Sequence, residues 1–162
     1  MEQGELVYHM SNGGRIKLSV GAIRVIETFQ QVKISAPESG GVLLGRFIRN
    51  SKDIIIDKVS VPMKGDTQTR YTFKRVSPLH QKMIDDEWSK SKGTCNYLGE
   101  WHTHPEEFPC PSGVDKKDWK RKLRSDVFSS RFLYFLIAGT VEINVWEGDR
   151  RTLEIKQLKK VK

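Results

Sequence analysis

His102 and His104 stand one residue apart in the run Gly99-Glu100-Trp101-His102-Thr103-His104-Pro105, in a chain of 162 residues that holds only four histidines. Such a pair can share a metal ion. On a strand, alternate side chains face the same way, so the two Cβ atoms lie about 6.5 to 7 Å apart and both rings can turn toward one point. Zinc suits this donor set: its bonds to histidine nitrogen are about 2.0 to 2.1 Å, and a catalytic zinc takes three protein ligands and leaves one position for water. Asp115, in Pro111-Ser112-Gly113-Val114-Asp115, is the natural third ligand. The loop with Pro105, Pro109 and Pro111 can return the chain, and the carboxylate would enter from the first turn of the helix that Ser112 caps. Water held there would have a pKa near about 7, which makes hydroxide available at neutral pH.

Other chemistry competes for the same residues. Ser112-x-x-Asp115 is also a capping box, in which the carboxylate only satisfies helix amides. Ser112 itself reads as either that cap or a hydroxyl donor to a developing oxyanion. Hydrolysis further needs a group to carry a proton to the leaving amine, and Glu38, Glu100, Glu106 and Glu107 are the candidates. Glu100 shares the face of His102 and His104 by alternation. Glu38 lies beside Gly40-Gly41 at the mouth of an apolar strand, while Glu106 and Glu107 read as exposed loop. Spacing alone leaves the choice between Glu38 and Glu100 open. Cys110 lies inside the loop and could add a fourth ligand, although Asp115 already completes a three-ligand set. The helical H-E-x-x-H pair and the HxE with PCxxC deaminase spacing are both absent.

The elements that must position these residues alternate between the two regular types. Arg15 to Val20 reads as a short strand, and Ile23, Ile26, Phe29 and Val32 predict an amphipathic helix through Gln31. Val42 to Ile48 and Asp53 to Val61 predict a hairpin across Asn50-Ser51-Lys52. Residues 64–69 read as loop and Arg70 to Phe73 as a strand. A helix begins at Ser77-Pro78, with Leu79, Met83 and Trp88 on its apolar side, and ends near Gly93. Tyr97 to His104 is the motif strand and Ser112 to Val127 a third helix. Arg131 to Ala138 is an apolar strand placed at the sheet centre, followed by strands over Val141 to Trp146 and Thr152 to Leu158. The expectation is one α/β domain over residues 1–162, with a mixed, largely antiparallel sheet flanked by about three helices.

A chain of this length can bury roughly two-thirds of its unfolded surface, enough for a self-sufficient core. The start Met1-Glu2-Gln3-Gly4-Glu5 has neither a basic segment nor an apolar run, which predicts a cytoplasmic protein without a membrane span. Two cysteines, Cys95 and Cys110, predict free thiols. The 28 Lys and Arg against 20 Asp and Glu give a net charge of +8. Much of it sits in Lys116 to Arg124 and in the tail from Arg150 to Lys162, both read as solvated surface. The charge keeps an acidic protein surface or nucleic acid as partners. Nucleic acid is disfavoured as a substrate, because no stacking-aromatic platform or zinc-finger spacing accompanies it and Trp119 reads as a core anchor.

Glu38, His102-Thr103-His104-Pro105, Ser112 and Asp115 together resemble the JAMM motif of the JAB/MPN metallopeptidase family: a distant glutamate, H-[ST]-H-P, then serine and aspartate at fixed spacing. The resemblance covers nearly the whole chain and implies an MPN/JAB-like, cytidine-deaminase-like fold. It implies His102, His104 and Asp115 as zinc ligands, Glu38 as general acid/base, and Ser112 as the group that steadies the tetrahedral intermediate. It thereby decides between Glu38 and Glu100. Within the family, Gly99 to Glu106 and the compact length look similar to the bacterial JAB deconjugating peptidases of CBASS antiphage operons. That similarity implies a zinc isopeptidase or peptidase. Its substrate would be a conjugated protein, either ubiquitin-like or a CBASS nucleotidyltransferase, and it would have a functional link to an E1/E2-like enzyme. The alternative is a non-catalytic MPN module that binds protein or nucleic acid.

Overall fold

The computed structural model describes residues 4–161; the reading of the chain start therefore falls in part outside the described residues. Eleven strands and three helices occur among these residues: β1 (Leu6–His9), β2 (Arg15–Leu18), α1 (Val20–Glu27), β3 (Gly40–Phe47), β4 (Ile54–Val59), β5 (Thr67–Gln68), β6 (Phe73–Lys74), α2 (Leu79–Lys90), β7 (Asn96–Thr103), α3 (Gly113–Ser125), β8 (Phe132–Ala138), β9 (Ile143–Asp149), β10 (Ile155–Gln157) and β11 (Lys159–Lys160). Nine of the strands form one sheet in the order β10-β9-β8-β7-β3-β4-β2-β1-β11, and β5 pairs with β6 apart from it. The β2/β4 and β7/β8 pairs are parallel and the others antiparallel. The α/β class and the mixed, mostly antiparallel sheet agree with the sequence.

The two edges of this sheet are joined by one short segment. β10 pairs with β9 and β11 with β1, and only Leu158 separates them. The Leu158 amide donates to the Val145 carbonyl and the Val161 amide to Val7, so the tail clasps both ends. The main core includes Tyr8, Ile16, Leu18, Ile56, Trp101, Leu136, Val145 and Leu158, with Ile23 and Ile26 of α1 packed into it. Outside, α3 lays Trp119 flat on Phe135, ring centroids 4.7 Å apart, and against Trp146. Met83 and Ile84 of α2 cover Val42, Leu44 and Cys95. Both cysteines are free thiols.

Several expectations are corrected. α1 starts earlier and ends at Glu27 rather than Gln31, because Ser19 caps it by accepting from the Ala22 amide; Gln31 instead turns inward and is buried. Leu79 and Trp88 do not form a buried face on α2: both are exposed, and the buried residue is His80. The helix is rotated because His80 finds polar partners in the interior, described below. Residues 64–69 are not all loop, since Thr67 and Gln68 pair with Lys74 and Phe73 while 70–72 make the turn. β8 is fully interior, but the middle strand of the sheet is β3. β1 was not anticipated, four residues being too short for a periodic signal. The basic tail is partly structural, because buried Leu158 carries its clasp.

Candidate metal centre

β3 and β7 pair antiparallel with Gly40 opposite His102 and Gly41 opposite Trp101. That register sets the end of the 28–39 connection, and with it Glu38, beside the histidines. The register shifts by one residue between Leu43 and Leu44, where Gly99 sits at φ 146°. A Cβ there would lie 1.7 Å from the Tyr134 carbonyl oxygen, so the bulge requires glycine. Beyond it, Glu100 and His102 face α3, while Trp101 and Thr103 face the core side. Trp101 donates from Nε1 to the Ser60 carbonyl at 2.9 Å. The His104 amide donates to Ala138 at 3.0 Å, which extends the strand direction one residue further.

His102 Nε2 and His104 Nε2 are 3.1 Å apart, and Asp115 Oδ2 is 3.4 Å from the first and 3.1 Å from the second. Two donors each about 2.1 Å from a tetrahedral ion stand about 3.4 Å apart, so a triangle of this size could hold such an ion. The donor chemistry agrees: two imidazole nitrogens turned on one point and on one carboxylate oxygen leave a place that a cation satisfies. Glu38, His102 and His104 also offer ligand atoms within 4.8 Å of one another. Glu38 Oε1, however, lies 3.9 Å from His102 Nε2, beyond the tetrahedral edge. Either carboxylate, Asp115 or Glu38, could complete a ligand set with the two histidines, and Asp115 is the nearer of the two.

The electrostatics separate the same two carboxylates. Burial raises Glu38 to about 7, an effect that His102 and His104 oppose and Asp115 assists. Burial also works to raise Asp115, but hydrogen bonds from His102 and His104, the charge of His102 and the Ser112 amide together hold it far below the ordinary carboxylate range. A metal ligand must be deprotonated, and a proton carrier must do both. Burial alone would lower His104, and the adjoining Asp115 raises it overall. His104 Nδ1 is buried without a hydrogen-bond partner, with Glu106 Oε1 3.8 Å away.

Capping box and metal-site geometry turn out to coexist. Ser112 Oγ accepts from the Asp115 amide at 3.0 Å and Asp115 Oδ2 accepts from the Ser112 amide at 2.8 Å, while the same oxygen faces both histidines. Glu100 is on the histidine face but is engaged elsewhere. Lys122 Nζ donates to its Oε2, Arg75 lies 3.7 Å from it, and Asp118 binds Lys122 at 2.8 Å. Lys122 was hidden in a charge run that otherwise reads as surface. A cleft of about 40 Å³ opens here, walled by Phe73, Trp101 and Trp119 and reaching Glu38, His102 and Asp115. Cys110 is exposed and in no metal-ligand group among the described residues. Glu106 and Glu107 are exposed.

Thr103, between the histidines, was overlooked as a functional residue. Its Oγ1 accepts from the Ser39 amide at 2.9 Å and donates to Gln31 Oε1 at 3.0 Å, and its amide donates to the Ser39 carbonyl. On the opposite side Glu38 donates its amide to Thr69, and Gln68 Nε2 donates to the Glu38 carbonyl. Strand alternation could have shown that Thr103 faces away from the histidines; nothing local shows that it meets Ser39.

Residues 30–152 match the family of prokaryotic homologs of the JAB domain. A CD-NTase/cGAS isopeptidase of Escherichia coli is 32% identical over 160 residues, 99% of this chain and 97% of its own. One from Vibrio cholerae is 31% identical over 161 residues, 99% of this chain and 98% of its own. A Pseudomonas aeruginosa protein of that description is 40% identical over 99 residues, 59% of this chain and 61% of its own. The solution structure of a Desulfitobacterium hafniense protein superposes with a TM-score of 0.58 at 20% identity, covering 86% of this chain and 87% of the other, and so shares its fold. With residues 30–152 matched and two relatives more than 30% identical over nearly its whole length, the chain belongs to the prokaryotic JAB-domain family.

Proposed function

We propose that this chain is a zinc-dependent isopeptidase of the JAMM type. It hydrolyses the bond between the carboxyl terminus of a protein and the target to which that protein has been conjugated. The names of the relatives favour a CD-NTase as the conjugated protein; a ubiquitin-like protein is the chemical equivalent. The reading implies an E1/E2-like enzyme that makes the conjugate, a cytoplasmic setting and one catalytic unit spanning the chain. No helix among the described residues is long and apolar enough to cross a membrane.

The observation that carries this reading is the triangle of His102 Nε2, His104 Nε2 and Asp115 Oδ2 at 3.1 to 3.4 Å, with the Glu38 carboxyl just beyond it at 3.9 Å. His102, His104 and Asp115 would hold the ion. When bound, zinc supplies Lewis-acid polarisation of a carbonyl and acidifies water toward neutral pH. Glu38 takes a proton from the attacking water as oxygen adds to the scissile carbonyl carbon. As the carbon–nitrogen bond breaks, Glu38 returns that proton to the leaving nitrogen, and a carboxyl terminus and a free amine result. Glu38 lies 3.9 Å from His102 Nε2, within reach of a water held at the histidine pair. Ser112 Oγ already accepts the Asp115 amide, so its own proton is free to donate to the developing oxyanion.

Release of the two products from a model isopeptide conjugate tests the reading. Wild-type chain with zinc should cleave, and Glu38→Ala and chelator-treated chain should not. Equal, chelator-resistant rates in wild type and Glu38→Ala would overturn it. Tight conjugate binding without turnover in zinc-replete buffer would favour the non-catalytic module.

A further inference from the structure

Ser60, Asp66 and His80 form a polar relay inside the protein, away from the zinc-ligand geometry. Asp66 Oδ2 lies 2.6 Å from His80 Nε2, and His80 Nδ1 lies 2.7 Å from Ser60 Oγ. The residue types are those of a hydrolytic triad, but Ser60 is 1% exposed and so is His80; no substrate can reach that hydroxyl. The relay has a defined direction. Ser60 Oγ accepts from the Val42 amide at 2.8 Å, which leaves its single proton for His80 Nδ1. With the ring neutral and Asp66 ionised, Nδ1 accepts and the ring proton sits on Nε2, donated to Asp66.

Both ends of the relay reach the segment that carries Glu38. At one end, Ser60 binds Val42 through its amide and its hydroxyl and accepts Trp101 Nε1 on its carbonyl. Val42 and Trp101 lie in the strands that present Glu38 and His102. Gly41 has no space for a side chain there, since a Cβ would stand 2.1 Å from the Ser60 carbonyl oxygen. At the other end, Asp66 accepts the amides of Met63, Val76 and Ser77 and so closes the loop that bears β5 and β6. That hairpin supplies the Thr69 carbonyl to the Glu38 amide at 2.6 Å, Gln68 Nε2 to the Glu38 carbonyl at 3.3 Å and to Ser39 Oγ at 3.1 Å, and Phe73 against Gly40. Glu38 is therefore held between two supports, the β3 strand and the β5/β6 hairpin; Phe73 meets Gly40 directly, and Asp66, His80 and Ser60 form a second, buried polar link between the two.

We propose that Ser60, His80 and Asp66 are positioning residues that fix the Glu38 backbone for proton transfer; this rests on the reading of Glu38 as the proton carrier. Misplacement of a reacting group by about 1 Å can cost on the order of 100-fold in rate. The relay reaches the His102 strand only through the Ser60 backbone carbonyl, which Ser60→Ala keeps.

The test uses the zinc-loaded full chain as wild type, Ser60→Ala and His80→Gln, the second of which keeps the Asp66 end and cuts the Ser60 end. Nitrogen-15 spectra of wild type should show His80 as the Nε2–H tautomer. Amide exchange at Glu38 and Ser39 should rise in both variants. For the model conjugate, kcat should fall roughly 10- to 100-fold, with zinc content and KM within about twofold of wild type. In a Glu38→Gln background the same substitutions should leave the residual kcat unchanged, which a general loss of structure would not do. Unchanged exchange at Glu38, an Nδ1–H ring at His80, or a further kcat loss in the Glu38→Gln background would overturn the proposal. If wild type cleaves no conjugate, the reading of the reaction fails, while exchange and tautomer still judge the relay.

Discussion

Glu38 Oε1 stands 3.9 Å from His102 Nε2, outside the 3.1 to 3.4 Å triangle that His102 and His104 make with Asp115. Two carboxylates thus flank one histidine pair in different states. Asp115 is held ionised by the hydrogen bonds it accepts, and Glu38 is pushed toward the neutral acid by burial. The division of labour proposed for the site follows from that difference.

The raised pKa of Glu38 has a measurable cost in the metal-free chain. Between the ordinary value of 4.5 and about 7 the folded state keeps a proton that the unfolded state has lost, so this group's contribution to stability falls as pH rises through that interval. Glu38→Gln removes the titration. Metal-free Glu38→Gln should be more stable than wild type at pH 8, by on the order of 3 kcal/mol. The two should coincide at pH 4, where both side chains are neutral. Urea unfolding at the two pH values measures it; equal stability at pH 8 would place Glu38 in a more solvated setting than described here.

Glu100 is predicted to be structural. Its side chain and that of Lys122 are largely buried together, with Arg75 nearby. Lys122→Ala leaves a buried carboxylate short of its main partner and should cost about 3 kcal/mol. The double change Glu100→Gln, Lys122→Met should cost less than Lys122→Ala alone, because it leaves no buried charge. Denaturant midpoints of the three chains decide it, and a smaller loss in Lys122→Ala than in the double variant would contradict the pairing.

Trp119 lies in the basic helix yet is 1% exposed and stacked on Phe135. Trp119→Ala should lose about 3 to 5 kcal/mol of stability through the cavity it leaves. Lys116, Lys117 and Lys120, by contrast, are exposed on the same helix. Reversal of these three charges should raise KM for a protein conjugate and spare a short peptide of the same linkage. An equal effect on both substrates would remove the protein-docking role of this face.

The part of the site carried by local spacing was legible in the sequence. The histidine pair, the returning proline loop and Ser112-x-x-Asp115 lie within 14 residues of one another, and strand alternation with a helix start sufficed to bring them together. Glu38 was chosen only by family resemblance, because its approach depends on the β3/β7 register, a pairing across more than 60 positions. Glu100 looked equally suitable by alternation, and what occupies it, Lys122, is a long-range partner concealed in a run of cations. His80 misled the reading of α2 for the same reason: the helix turns its histidine inward toward Asp66 and Ser60, at the expense of Leu79 and Trp88. The tail shows that charge density is a poor guide to exposure when a single leucine, Leu158, docks between two strand ends.

Zinc content per chain, measured on wild type, Asp115→Ala and Glu38→Gln after dialysis against trace zinc, tests the central division of roles most directly. The account predicts full occupancy in wild type, near-complete loss in Asp115→Ala, and retention in a Glu38→Gln chain that cleaves conjugate only at a small residual rate. Zinc retained by Asp115→Ala and lost from Glu38→Gln would contradict it and make Glu38 the third ligand.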